Sequence, residues 1–218
     1  MNRDACNTVY AQLYQQVRSL KRPLVVGING AYTSGKTMFT FGLRQYLRDQ
    51  DVKTQVIHYD DFHHPFSAIA WTDDTEVDAF YNHAFDPAKL ETEILKPLME
   101  HGRINKDVVC VDLGTGQFTH TIHLDIDENT IVLLEGVLLF RPPLMKYLDY
   151  KVYLDISFDE MLVRAKQRDV PKFGEGILEK FVIRYIPVQQ RYMAECDPMV
   201  ASDMVIDNND HQAPGIVG

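Results

Sequence analysis

The amino-acid sequence predicts an α/β fold in which a parallel central sheet is covered on both faces by helices. Three observations carry that expectation. Short apolar runs such as Leu24 to Ile28, Ile131 to Leu134 and Tyr150 to Ile156 lack polar alternation, as strands buried on both faces do. Segments of helical period separate these runs. Helix-start signals fall between the two kinds of segment, at Asp86-Pro87 and at Ser157 with Glu160.

Taken in order, Val9, Leu13, Val17 and Leu20 sit at helical spacing and predict a helix over 5–20. Leu24 to Ile28 reads as a strand, Thr37 to Leu47 as a helix, and Thr54 to His58 as a second strand. Asp86 is placed to cap a helix with proline in its first turn, running to about Met99. Val108 to Leu113 and Phe118 to Leu124 are strand-like, and Gly114-Thr115-Gly116 between them predicts a small β-hairpin insertion. Ile131 to Leu134 and Tyr150 to Ile156 are buried strands. A capping box at Ser157 opens a helix to about Arg168. Gly174 and Gly176 break the chain before a long helix from Ile177 to Glu195, and Met204 to Ile206 supplies a last short strand.

No repeat and no Pro/Gly/Ser linker divides the 218 residues, so a single domain over 1–218 is expected, with an N-terminal helix in 1–21, a core in 22–208 and a tail in 209–218. Apolar residues make up 45%, enough for a packed core. The 22 basic against 31 acidic residues give a net charge of −9, which argues against nucleic-acid or anionic-membrane partners. The longest apolar stretch, Ile131 to Phe140, is too short to span a bilayer and is broken by Glu135 and Gly136. Cys6, Cys110 and Cys196 are widely spaced, which fits reduced thiols in a cytoplasm rather than a disulfide or zinc framework.

The strongest local signal is Gly30-Ala31-Tyr32-Thr33-Ser34-Gly35-Lys36-Thr37, a full G-x-x-x-x-G-K-[ST] match between a strand and a helix. Glycines let successive main-chain N–H groups curl inward on phosphate oxygens, and the helix that follows aims its positive end at the same anion. Lys36 is placed to reach the outer phosphates of ATP and Thr37 to ligate Mg²⁺.

Phosphoryl transfer also needs carboxylates at strand ends facing this crevice. Asp60-Asp61 follow the second strand and Glu135 follows Ile131–Leu134. Asp60 is a candidate proton acceptor and metal neighbour, and Glu135 a candidate Mg²⁺ group acting directly or through water. His63 and His64 come next. An adjacent pair on a proline-ended loop does not put two imidazoles on one side, so substrate contact by His63 is favoured over metal ligation.

With these residues in hand, the chain resembles the uridine kinase / phosphoribulokinase / bacterial pantothenate kinase family over about residues 22–208. Gly27-Ile28-Asn29-Gly30 to Thr37, Tyr59-Asp60-Asp61-Phe62, Ala84-Phe85-Asp86, Glu135-Gly136-Val137-Leu138 and Arg164 to Asp169 match the family's blocks in order. The resemblance implies a P-loop NTPase three-layer sandwich, nucleoside-kinase-like, with a helical lid at about 170–180. It implies an ATP- and Mg²⁺-dependent phosphotransferase acting on an alcohol group of a small metabolite, uridine kinase-like. It assigns Asp60 as catalytic aspartate, Lys36 and Thr37 to phosphate and Mg²⁺, Arg164 and Arg168 to the transferring phosphoryl, and Asn208 to a loop near adenine. Asp61, His63, Tyr81 and His83 are the acceptor-site candidates, within a pocket drawn from 61–83 and 111–123. Homo-oligomer assembly is left open.

The departures lie on the acceptor side. Arg164-Ala165 stands where uridine kinases have two arginines, and Phe173-Gly174-Glu175 where their lid carries Arg-Gly-Arg, leaving Lys172, Arg184 and Arg191 as candidate substitutes. Val111-Asp112-Leu113 replaces the base-reading "Y-D-F". Other acceptors, such as pantothenate, a sugar or a sugar phosphate, therefore stand beside a nucleoside. A regulatory ATPase is the alternative of a different class, although no guanine-reading N-K-x-D block is present.

Overall fold

The computed structural model describes residues 3–21, 23–69 and 75–217. Its strands are β1 (Leu24–Gly30), β2 (Thr54–His58), β3 (Ile104–Asp112), β4 (Gln117–Ile126), β5 (Ile131–Gly136), β6 (Tyr150–Asp155), β7 (Met204–Asp207) and β8 (Gly215–Ile216). Six of them form one sheet in the order β2-β5-β1-β6-β7-β8, while β3 and β4 pair as the separate hairpin that the Gly114–Gly116 turn predicts. The sheet is parallel from β2 to β7; β8, in the predicted tail, adds an antiparallel edge that its two residues gave no signal for.

The central strands β1 and β5 are buried at every position, as their unbroken apolar runs require. Side chains alternate between faces along them. Leu24, Val26 and Ile28 with Ile131 and Leu133 pack under helices α1 (Arg3–Val17) and α2 (Lys36–Arg48), meeting Leu13, Val17, Leu43 and Leu47. Val25, Val132 and Leu134 face the other way, into a cluster with Leu90, Ile94, Leu98 and Tyr192. This is the three-layer arrangement, and α1 packs on the core within it.

Two long helices run through 87–101 and 176–196, each with a π-turn inside, Glu91–Leu95 and Phe181–Tyr185. Pro97 and Pro187 fall just after these turns. Proline lacks an N–H and crowds the carbonyl four residues back, and a widened turn accommodates both effects. Ser157 caps the helix Phe158–Arg168 by accepting a hydrogen bond from the Glu160 N–H, as the capping box predicts.

One helix has no counterpart in the sequence reading. Helix α3 (Glu76–His83) starts at Thr75, whose hydroxyl accepts from the Asp78 N–H. It is tied to the 176–196 helix by Arg184 on Glu76, by Arg191 on Asp78 at 2.7 Å, and by the Tyr81 hydroxyl on Glu195 at 2.7 Å. Among the described residues no helix is long and apolar enough to cross a membrane.

Candidate active site

The site lies where β1, β5 and β2 end side by side. Register places Glu135 opposite both Ile28 of β1 and His58 of β2, so the loops leaving all three strands open into one crevice. The loop 30–37 curls at the tip of β1. A Cβ on Gly30 would lie 2.6 Å from the Leu154 carbonyl oxygen and 2.7 Å from Ser34 Oγ. Gly35 takes φ +94°, a left-handed conformation that suits glycine. Ser34 Oγ is buried with no hydrogen-bond partner among the described residues.

Lys36 opens α2 and is 9% exposed, its ammonium donating to the Ala31 carbonyl at 2.7 Å. Burial pulls its pKa below the ordinary lysine value, while the negative charges of Glu135 and Asp60 work against that shift. Thr37 Oγ1 donates to Glu135 Oε1 at 2.9 Å, and His58 Nδ1 lies 2.6 Å from the same oxygen. Burial pushes the Glu135 carboxyl up, but the bond from His58 and the charge of Lys36 outweigh it and hold the group below the usual range. The same bond raises His58 above an ordinary imidazole.

Asp60 sits in a single 3₁₀ turn, Tyr59–Phe62, at the tip of β2. It is exposed to solvent at the cleft it lines. Partial desolvation there, and then the negative charge of Glu135, raise its carboxyl above the ordinary aspartate value, with Lys36 countering. Lys36, Thr37, Asp60, Glu135, Arg164, Arg168 and Asn208 all line one cavity of about 960 Å³.

Asn208 Nδ2 donates to the Ser34 carbonyl at 2.6 Å, which fastens the loop after β7 to the phosphate-type loop. Arg164 lines the cavity with its guanidinium already bonded. Its guanidinium donates to the carbonyls of Asn208, Asn209, Thr33 and Ser34 and to the Glu160 carboxylate. It is a brace between two loops, and a place over a transferring phosphoryl would require breaking those bonds. Arg168 reaches the cavity while paired to Asp169 at 2.7 Å.

The acceptor candidates separate into two groups. Asp61 remains beside Asp60, with His120 Nε2 of the hairpin 3.7 Å from its carboxylate. Burial raises Asp61, and His120 opposes this. His63 does not face the cavity: it is 5% exposed, packed among the rings of Phe66, Phe80 and Phe85, with Nδ1 on the His64 carbonyl. Tyr81 is likewise buried, sandwiched by Arg141 and Arg191 at 3.7 and 4.1 Å from its ring centre. His83 is exposed at the end of α3. Of the pocket segment 61–83, residues 70–74 lie outside the described residues. Arg184 and Arg191 are the anchors of α3 described above, and Lys172 is exposed in the helical turn Val170–Phe173.

Two further residues belong to the site. His58 carries one usable sequence signal, an imidazole two residues before a candidate aspartate. Asn29 is fully buried, its Nδ2 donating to the Tyr192 hydroxyl at 2.6 Å, and that hydroxyl accepts from the Phe140 N–H. This bond sets the exit of β1 just before the loop, and its partner lies 163 residues away.

Comparison with known proteins identifies the family. A model of the phosphoribulokinase / uridine kinase family matches residues 25–212. The uridine kinase of Limosilactobacillus reuteri (strain DSM 20016) is 27% identical over 174 residues, 78% of this chain and 75% of that protein. The uridine kinase of Geobacillus sp. (strain WCH70) is 29% identical over 182 residues, 79% and 81% of the two chains. The solved structure of a possible uridine kinase from Bacillus stearothermophilus superposes with a TM-score of 0.75 at 23% identity, covering 93% of this chain and 97% of that one.

Proposed function

Because the chain belongs to the phosphoribulokinase / uridine kinase family and is a small-molecule kinase, we propose that it transfers the γ-phosphate of ATP, with Mg²⁺, to an alcohol group of a nucleoside. One observation carries the reading: Lys36, Thr37, Glu135 and Asp60 converge on a single cavity at three adjacent strand tips. The residues present fit both groups. A cradle that a Cβ at Gly30 would fill, and the partnerless Ser34 hydroxyl, suit phosphate oxygens. Thr37 Oγ1 and the Glu135 carboxylate, 2.9 Å apart, are hard oxygen donors of the kind Mg²⁺ takes. Thr37 and Glu135 would hold magnesium, which would supply charge neutralisation.

The protein's own part follows from its electrostatics. Lys36, whose ammonium already donates to the loop carbonyl of Ala31, exchanges that acceptor for a phosphate oxygen and stabilises charge on the transferring group. Asp60 takes the proton of the acceptor hydroxyl, and its raised pKa makes it a stronger base than an ordinary aspartate. His58 holds Glu135 in place through a charge-assisted bond.

The test is ADP release by the purified protein with ATP and Mg²⁺ against a panel of nucleosides, pantothenate, sugars and sugar phosphates. A nucleoside-dependent rate is expected. Asp60→Asn should lower turnover at least about a hundredfold with the fold retained. Near-full activity of Asp60→Asn would remove Asp60 as base, and ADP release indifferent to every acceptor would leave a regulatory ATPase. A second reading, another small alcohol as acceptor, is favoured by one observation. Asp112 accepts from the N–H groups of Gly114 and Thr115 and so closes the hairpin turn at the base-reading position.

A further inference from the structure

Helix α1 lies before the stretch that the family model matches, which begins at residue 25. It nonetheless reaches the active-site cavity. Cys6 and Tyr10 of α1 line the same 960 Å³ space as Lys36 and Asp60, together with Met38 and Phe39 of α2 and His211 and Pro214 of the loop between β7 and β8. Tyr10 meets Phe39 edge to face, with ring centres 5.2 Å apart. Cys6, Tyr10, Phe39 and Pro214 are each mostly buried and show only a rim to the cavity. Gly35, Asn208 and Arg164 line the same cavity, Gly35 lying against Asn208 and the Arg164 cation being paired with Glu160.

From this we infer that α1 supplies the outer wall of the slot for the donor's nucleobase, with Cys6 and Tyr10 as its apolar backing. The inference rests on the phosphate-loop reading, since that loop sets which end of the cavity receives the triphosphate and which receives the base. A flat heteroaromatic ring suits a slot of this composition: apolar atoms from α1 and α2 present a low-polarity surface, and the loop of Asn208 and Asn209 supplies the polar edge. The phosphates gain nothing from α1, so its contribution separates from theirs.

Calorimetry with ATP·Mg and with inorganic tripolyphosphate·Mg makes the separation. In Cys6→Trp the indole fills the slot. ATP affinity should fall about tenfold or more while tripolyphosphate affinity stays within about twofold. Wild-type protein gives a second measurement that needs no variant: iodoacetamide labelling of Cys6, followed by peptide mass, with fully buried Cys110 as the monitor of general opening. ATP·Mg should slow Cys6 labelling relative to Cys110, and tripolyphosphate·Mg should not. The inference is overturned if the ATP-to-tripolyphosphate affinity ratio is unchanged in folded Cys6→Trp, or if both ligands protect Cys6 equally. If wild-type protein binds neither ligand, the phosphate-loop reading fails and this inference with it.

Discussion

Replacing Arg164 with methionine separates two roles for one cation. The side chain is 12% exposed and donates to five oxygens on three segments. The bonds to Thr33 and Ser34, at 3.4 and 3.3 Å, are long and weak, whereas those to Glu160 at 2.7 Å and Asn209 at 3.0 Å are well formed. Hydrogen bonds to a charged donor contribute about 1.5–3 kcal/mol each. The freed carbonyls and Glu160 border an open cavity, where water replaces part of what is lost. Methionine also keeps the packing of the stem. The net cost is therefore about 2 kcal/mol, which for a chain of this size lowers Tm by about 4–8 °C. The kinetic consequence is specific. A brace between the 30–37 loop and the Asn208 loop shapes the donor site, so KM for ATP should rise about tenfold with kcat changed less than about threefold. Scanning calorimetry gives the first number and initial rates at saturating acceptor give the second. A fall in kcat of about a hundredfold with KM for ATP unchanged would refute the brace and restore the phosphoryl role.

Other substitutions probe the same crevice. Lys36→Met should cut turnover about a hundredfold or more without lowering Tm, because the removed ammonium is one that burial already disfavours; a variant with a tenth of normal activity would contradict this. Gly30→Ala drives a methyl group to within 2.6 Å of a main-chain oxygen and should cost about 1–3 kcal/mol by urea melts, together with ATP binding; an unchanged melt would show that the loop gives way. Burial holds His63 below the ordinary imidazole value, so stability is complete above the unfolded value of about 6.5 and is lost as pH falls from there toward the folded value. The Tm of His63→Phe should therefore gain on wild type between about pH 7.5 and 5.5, and a constant difference would mean that the imidazole is not held neutral.

Much of the site was legible because it is local. The loop 30–37 is eight consecutive residues, and Asp60 and Glu135 stand directly after apolar runs whose ends a parallel sheet brings together. What was not legible is what depends on distant partners. Helix α3 is short, and the arginines that hold it lie 108 and 113 residues further along the chain. Arg164 was placed by resemblance, but four of its five acceptors are main-chain carbonyls, which carry no signature in the sequence. His63 and Tyr81 look like ligand-reading residues by type. Only the packing around Phe80 and Phe85, and the arginines on either face of Tyr81, shows them to be interior.

The adjacency of β2, β5 and β1 has a consequence for how such a protein can diverge. Main-chain pairing holds neighbouring strands about 4.8 Å apart, so the spacing of the three tips, from which the loops carrying Lys36 and Asp60 leave, is set by the sheet. No side-chain change can stretch it. Outside that sheet stand the separate β3–β4 hairpin, which reaches the turn after β2 through His120 and Asp61, and the short helix α3 clamped by ion pairs; both can vary without moving the three tips. The sheet thus fixes the geometry of the crevice, while the pieces packed around it are free to change length and composition.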